Sequence, residues 1–274
     1  MFTLNCRGRL LCIQEPVVMG ILNVTPDSFY AHSRIRHEKT LLDKAGKMIQ
    51  EGATILDIGG QSTRPGSEKI SSEEELQRVI PAIEMIRKTF PEIFISVDTY
   101  YSEVARQAAQ EGADLVNDIS AGLLDPDMGR VVGSSGIPYI MMHMKGNPQN
   151  MQQMTDYKDL IPDLLRYFTE RIEFMKQCGV KDIIVDPGFG FAKTIEQNFS
   201  LLSSLNQLHI LDKPVMVGLS RKSMIWKTLH TTPEDALNGT TALHTIALMK
   251  GCHILRVHDV KEAVECIRLT RLIK

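Results

Sequence analysis

Short apolar, β-prone runs recur along the 274 residues, and each turns polar at its C-terminal end. VVMGILNVTPDSF, ATILDIGGQSTRPG, FISVDTYYS, DLVNDIS, PYIMMHM, DIIVDPGFGF, PVMVGLSRKS and HILRVHD make eight such runs. Helical patterns lie between them. Strands are expected at about Val17–Asn23, Thr54–Ile58, Phe94–Val97, Leu115–Asn117, Pro138–Met142, Ile183–Val185, Pro214–Gly218 and His253–Val257. Eight strand–helix units in a chain of this length predict an α/β protein, a (β/α)8 TIM barrel. Residues 3–13 alternate around Arg7-Gly8 and predict a short N-terminal β-hairpin, placed to close the bottom of the barrel. Gly52 reads as the stop of the first helix, and Ser71 or Ser72 with the glutamates that follow as a capping box for the second. Asp125-Pro126 reads as the opening of the fourth helix. A fifth is expected over about Lys158–Cys178, and another from near Arg221. With no linker, repeat array or low-complexity segment, residues 1–274 read as a single domain.

Active sites in such barrels lie at the C-terminal strand ends, where the polar switch residues of this chain fall. The run DIIVDPGFGF shows why that matters. Asp186 follows a buried strand directly, and Pro187-Gly188 then forces a turn. Burying a lone carboxylate is costly, so something must pair with it. A ligand edge with two adjacent N–H donors suits both oxygens. Taken alone, Asp186 reads equally as an Asx-turn or a helix cap. Recurrence of the design in eight runs favours a site.

Composition narrows the classes. Hydrophobic residues make up 43% and charged residues 23%, ordinary for a soluble globular protein. The net charge of −2 offers no electrostatic case for nucleic acid or an anionic membrane. No apolar run is long enough to span a bilayer, and the N-terminus lacks a signal-peptide core. Cys6, Cys12, Cys178, Cys252 and Cys266 form no C-x-x-C pair and read as reduced thiols of a cytoplasmic protein.

Seven motifs together resemble dihydropteroate synthase. They are N-V-T-P-D-S-F (Asn23–Phe29), G-G-Q-S-T-R-P-G (Gly59–Gly66), S-V-D-T (Ser96–Thr99), N-D-I (Asn117–Ile119), D-P-G-F-G-F (Asp186–Phe191), S-R-K-S (Ser220–Ser223) and R-V-H-D (Arg256–Asp259). They cover nearly the whole chain in the family's order. The resemblance implies a TIM barrel that joins 6-hydroxymethyl-7,8-dihydropterin pyrophosphate to p-aminobenzoate and releases pyrophosphate with Mg²⁺. It also implies a place in folate synthesis, a homodimer built from outer helices, and a sulfonamide target. Two departures stand out: Tyr30-Ala31-His32-Ser33 replaces a Ser-Asp-Gly-Gly-like run, and Gln61 stands where the family usually has Glu.

The resemblance assigns the residues to three pockets. Asp186 accepts the pyrimidine N–H and amine of a pterin, and Asp98, Asn117 and Lys222 complete the ring's hydrogen bonds. Singly, each has a bland reading: Asp98 as a helix cap, Asn117 as a turn residue, Lys222 as a solvated charge. Arg256 and His258 alternate with Val257, so both can point to the barrel mouth and hold pyrophosphate; the bland reading makes His258 and Asp259 a cap. Arg256 is also placed against the pterin face. Asn23 is an oxygen ligand suited to Mg²⁺, with Thr63 and Arg64 as further substrate contacts. Ser223, near a helix start, suits the p-aminobenzoate carboxylate, and Phe29, Pro65 and Phe191 wall its ring. His143 and Met141, Met142, Met144, Met151 and Met154 read as packing or loop cover.

The implied chemistry is substitution at the pterin methylene, with Asp98, Asp186, Lys222 and Arg256 as the catalytic set. Two other readings are a corrinoid methyltransferase's pterin domain and a non-catalytic pterin scaffold. The long loops after the first two strands carry Asn23, Phe29, Thr63 and Pro65, and they are expected to close only over bound pyrophosphate and Mg²⁺. Tryptic cleavage after Arg34, Arg36 or Lys69 should therefore be fast in the free protein and slow with pterin, pyrophosphate and Mg²⁺. Equal cleavage in both conditions would contradict the ordered binding this implies.

Overall fold

The computed structural model describes residues 1–24, 34–61 and 69–273. A two-stranded antiparallel hairpin, β1 (Phe2–Cys6) and β2 (Arg9–Ile13), precedes the barrel. The barrel strands are β3 (Val17–Asn23), β4 (Ile55–Gly59), β5 (Phe94–Asp98), β6 (Leu115–Asp118), β7 (Tyr139–Met142), β8 (Ile183–Asp186), β9 (Met216–Val217) and β10 (Ile254–Val257). They pair in parallel in the order β8-β7-β6-β5-β4-β3-β10-β9. The ring meets itself where Val185 bridges Val215 and its N–H donates to the Pro214 carbonyl at 2.9 Å. The outer helices are α1 (Arg34–Gln50), α2 (Ser72–Thr89), α3 (Ser102–Gln110), α4 (Met128–Ser135), α5 (Leu160–Gln177), α6 (Ile195–Ser203), α7 (Ser223–Trp226), α8 (Leu237–Met249) and α9 (Val260–Arg271). The expected fold is thus the observed one. Among the described residues, no helix is long and apolar enough to cross a membrane.

Side chains alternate along each strand, so each strand serves two cores. Val18, Leu56, Val97, Val116, Met141, Val185, Val217 and Leu255 belong to the large core shared with the helices. Met19, Ile55, Leu115, Ile140, Ile184, Met216 and Ile254 form a second core inside the barrel. The hairpin plugs that inner core from below with Leu4, Cys6, Leu11 and Ile13, all buried. Its turn places Arg7 at φ 56° and Gly8 at φ 91°, the doubly left-handed geometry of a two-residue hairpin loop. Polar bonds seat the plug. Asn5 N–H donates to Asp182 at 2.8 Å, and buried Asp114 accepts from Arg9, Arg87 and the Ile95 N–H.

Local chemistry moves two helix starts. Ser71 caps α2 as expected, accepting from the Glu74 N–H at 3.2 Å. The helix near Arg221 is only a single turn, Ser223–Trp226. Arg221 sits at φ 55° and Lys222 is extended, so helix cannot begin before Ser223. Pro233 then disfavours helical backbone at Thr232, and the long helix of that unit begins at Leu237. Asp125-Pro126 precedes α4 by a turn, because Asp125 is committed elsewhere: it accepts from the Ser102 N–H at the start of α3, at 2.7 Å.

The plug and the strand ends are opposite poles of the barrel, which separates stability from function. Leu11→Ala should cost about 2–5 kcal/mol, the usual range for a buried Leu→Ala cavity, seen as a lower urea midpoint. Turnover of the folded variant at low temperature should stay at the wild-type level. A large loss of turnover would show that the floor and the mouth are coupled.

Candidate active site

Two residues beyond the inner apolar layer, the same inward face turns polar. Asp57 follows Ile55, Ser96 follows Phe94, Asn117 follows Leu115, Asp186 follows Ile184 and Arg256 follows Ile254, each by two positions. Asp98 stands one further step up β5. The alternation that buries Val97, Val116 and Val257 against the helices therefore aims these polar side chains into the barrel.

Arg256 is the centre of the cluster. Its Nε donates to Asp57 Oδ2 at 2.6 Å and its Nη2 to Asp98 Oδ2 at 2.5 Å. Asn117 Nδ2 donates to the same Asp57 oxygen at 3.0 Å. Asp57, Asp98, Asn117 and Asp186 are all buried. Burial works against the Arg256 charge, and Asp57 and Asp98 outweigh it, holding the guanidinium above its ordinary value. Burial pushes the Asp98 carboxyl up to about 7; Arg256 pulls it down, while Asp57, Asp118 and Asp186 push with burial.

Asp186 is also raised, first by burial and against the pull of Lys222. Its Oδ1 accepts the Gly188 N–H at 2.8 Å, so the Asx-turn and the site are both present in one residue. Gly188 takes φ 72°, and a Cβ there would lie 2.1 Å from the His143 carbonyl; only glycine lets the loop pass this close to β7. Lys222 Nζ donates to the Phe189 carbonyl and lies 4.8 Å from the centre of the Phe191 ring. Burial lowers its pKa to about 8, against the pull of Asp186. Phe191 packs with Tyr100, Ile119, Met142, Met144, Met151 and Ala192 in an apolar cluster distinct from the two cores.

The bland readings separate cleanly. Asp98 is no cap: the N-cap position of α3 is Tyr101, and no side chain caps it. Asp259 stands at the N-cap position of α9, but its side chain makes no capping bond and instead holds Arg221 through two bonds of 2.8 and 2.9 Å. His258 is exposed, with Nδ1 3.1 Å from Ser220 Oγ. Asn23 is exposed at the end of β3, and its Oδ1 shares the surroundings of Gly59 with Asp98 Oδ2. Ser223 does open a helix, but α7 has four residues, so the expected dipole support for a carboxylate is small there. Phe29, Thr63, Arg64 and Pro65 lie outside the described residues. Gln61, at the edge of that stretch, donates to Tyr100 Oη at 2.7 Å and accepts from the Ile70 N–H at 3.3 Å. An amide can do both; the family's usual carboxylate can only accept.

Three groups escaped the sequence reading. Asp57 carries the same signal as Asp186, an acid inside a buried strand, and was legible in A-T-I-L-D-I-G-G. Arg221 bonds Asp259 and the carbonyls of Pro233 and Glu234, which positions Lys222 and Ser223 beside it. Lys193 is buried, with Nζ 3.1 Å from His143 Nδ1 and bonded to the Gly188 and Phe191 carbonyls. Burial lowers His143 to about 2 and Lys193 to about 7. No local signal marks Lys193, because its partners come from the loops after two different strands.

Comparison with known proteins agrees with this geometry. The chain matches the family described as pterin binding enzyme over residues 19–258. It is 46% identical over 268 residues to the dihydropteroate synthase of Escherichia coli K12, covering 97% of this chain and 94% of that one. The Yersinia pestis dihydropteroate synthase, solved with a sulfonamide drug complex, superposes with a TM-score of 0.93 at 41% identity over 99% of both chains. A Xanthomonas albilineans dihydropteroate synthase solved with 4-aminobenzoic acid gives 0.91 at 38% identity, over 99% and 97%. With buried acids gathered at the strand ends and near-complete coverage by these relatives, the chain belongs to the dihydropteroate synthase family of pterin-binding enzymes.

Proposed function

We propose that this chain condenses 6-hydroxymethyl-7,8-dihydropterin pyrophosphate with p-aminobenzoate, giving 7,8-dihydropteroate and pyrophosphate in folate synthesis. The observation that carries the reading is the floor of the barrel mouth, where Asp57, Asp98, Asn117 and Asp186 surround Arg256. Such a floor is rich in acceptors and suits a heterocycle that presents N–H and amine donors. Residues 1–274 act as one pterin-binding domain in this reading, supported by the family match over 19–258 and by the hairpin's place in the inner core.

The roles follow from position. Asp186 and Asp98 accept from the pterin ring, Asn117 adds an acceptor and Lys222 a donor. The pyrophosphate departs first or early, leaving positive charge on the methylene that the electron-rich dihydropterin shares. Buried Asp98 and Asp186 favour that charge through a low-dielectric interior. Arg256, between the pterin floor and the mouth, and His258 meet the leaving group. The arylamine of p-aminobenzoate is nucleophilic at neutral pH, so no strong general base is assigned. Ser223 and Phe191 serve its carboxylate and ring, with Phe29, Thr63, Arg64 and Pro65 as further substrate contacts.

Asn23 would hold Mg²⁺ at the mouth. The donor chemistry fits: a side-chain amide oxygen exposed at the end of β3 is a hard neutral ligand of the kind Mg²⁺ takes. Among the described residues, no group of three or more His, Cys, Asp or Glu side chains forms a closed metal site; Mg²⁺ typically keeps waters and phosphate oxygens instead. When bound, it would offset charge on the departing pyrophosphate.

The protein acts as a homodimer in the cytoplasm in this reading. Ile246 and Met249 are exposed one turn apart on α8, and Leu269 is exposed on α9, an apolar outer surface of the kind that pairing would cover. The five cysteines are all free, as in a reducing compartment. Light scattering should give twice the 30.8 kDa chain mass, and Ile246→Glu with Met249→Glu should give the single mass. A monomeric wild type would reject the pairing.

The reaction itself is tested by incubating the pterin pyrophosphate, p-aminobenzoate and Mg²⁺ and following dihydropteroate. No product from folded protein would refute the assignment. The pH dependence of kcat/KM has a worked sign. Asp98, raised to about 7, gains a proton below that value and loses its acceptor role. Lys222, lowered to about 8, loses its charge above it. A narrow bell between the two limbs is expected, and Lys222→Arg should carry the alkaline limb upward because a guanidinium stays charged. An alkaline limb unmoved by Lys222→Arg would belong to another group.

A further inference from the structure

The buried acids of this barrel fall into two kinds. Asp114 and Asp118 are tied to the backbone: Asp114 accepts the Ile95 N–H, and Asp118 the N–H groups of Ser120 and Gly122. Their bonds hold the fold. Asp57 is different. It is fully buried, and the hydrogen bonds it makes run to two side chains, Arg256 and Asn117, through the single oxygen Oδ2. Its Oδ1 is buried with no hydrogen-bond partner, beside Ser96 Oγ in the same condition on the neighbouring strand position. A half-satisfied buried carboxylate is a poor device for stability, since well-packed apolar residues commonly do as well or better. Its partners are the two residues that the pterin reading needs held in one orientation.

We infer that Asp57 is a positioning residue of the pterin site, acting through Asn117 and Arg256. An ionised carboxylate only accepts, so the Asn117 group that faces it must be the NH₂. The Asn117 carbonyl oxygen is thereby left to face the ligand, and the pocket presents an acceptor there. A flipped amide would offer a donor to a ring edge made of donors. The same oxygen takes the Nε–H of Arg256 while Asp98 takes an Nη2–H, so the guanidinium is gripped on two sides and its plane is fixed across the barrel. Two donors of one ligand-facing set thus depend on one oxygen that itself lies below the ligand.

The inference rests on the reading of this mouth as the pterin site, and the experiment separates the two. Affinity for 6-hydroxymethylpterin is measured by calorimetry on folded protein, with Asp57→Asn, Asn117→Ala, Arg256→Ala and the double variants that pair Asp57→Asn with each. Every single change should weaken binding by about tenfold or more, the effect of a lost or mismatched buried hydrogen bond. Because Asp57 acts through its partners, each double variant should lose clearly less than the product of its singles. A residue serving the fold alone would change the melting temperature and leave these binding cycles multiplicative. Wild-type affinity in Asp57→Asn, or multiplicative losses in both cycles, would overturn the inference. Asp186→Asn is the control for the site: if it binds normally the pterin reading itself fails, whereas a failure confined to Asp57 leaves that reading intact. Asp57→Ser enters the same cycles if Asp57→Asn does not fold, and failure of both to fold would mark Asp57 as structural and overturn the inference.

Discussion

The mouth of this barrel is organised around one partly buried cation. Arg256 reaches in from β10 and is held by a carboxylate on β4 and another on β5. Removing one partner of such a pair leaves a carboxylate or guanidinium without its counter-charge in a largely desolvated place, which is destabilising. Two acids share that one guanidinium, and Asp186 on β8 stands near them with Lys222 as its main cationic neighbour. That gathering of acids is the useful property. A floor rich in carboxylate acceptors welcomes donor-rich heterocycles and any positive charge that develops on them. Burial raises the Asp98 and Asp186 carboxyls above the ordinary range, Asp98 to about 7, so the protonation of Asp98 is sensitive to neutral pH.

Everything else serves the placement of that cluster. Parallel register puts Asp57 level with Ser96, and Asp98 level with both Gly59 and Asn117, so residues far apart in sequence converge within hydrogen-bond distance. The hairpin plug fills the opposite end with Leu4, Cys6, Leu11 and Ile13, which lets the upper layer remain polar without leaving the barrel hollow below. At the rim, two lysines hold the loop after β8 by its carbonyls: Lys222 on Phe189, Lys193 on Gly188 and Phe191. The loop's shape, and with it the Asp186 turn and the Phe191 ring, is fixed by cations whose own burial lowers their pKa values.

The sequence by itself determined the barrel. Eight apolar runs with polar ends and helical spacers admit few other folds, and strand positions matched the structure to within a residue or two. It also singled out Asp98, Asn117, Asp186 and Arg256 as polar residues at the ends of buried strands, and Lys222 through the family motif, and the fold brings all five to one end of the barrel. Asp57 carried that signal too, yet its meaning depended on which strand lay next to which. Pairing across the barrel was the decision of the tertiary structure alone: that Asn117 and Arg256 share one Asp57 oxygen, that Arg221 finds Asp259, that Lys193 meets His143. Side-chain alternation is a local rule written along each strand, whereas the partner of a buried charge is set by strand order, register and closure. No stretch of sequence contains those three by itself.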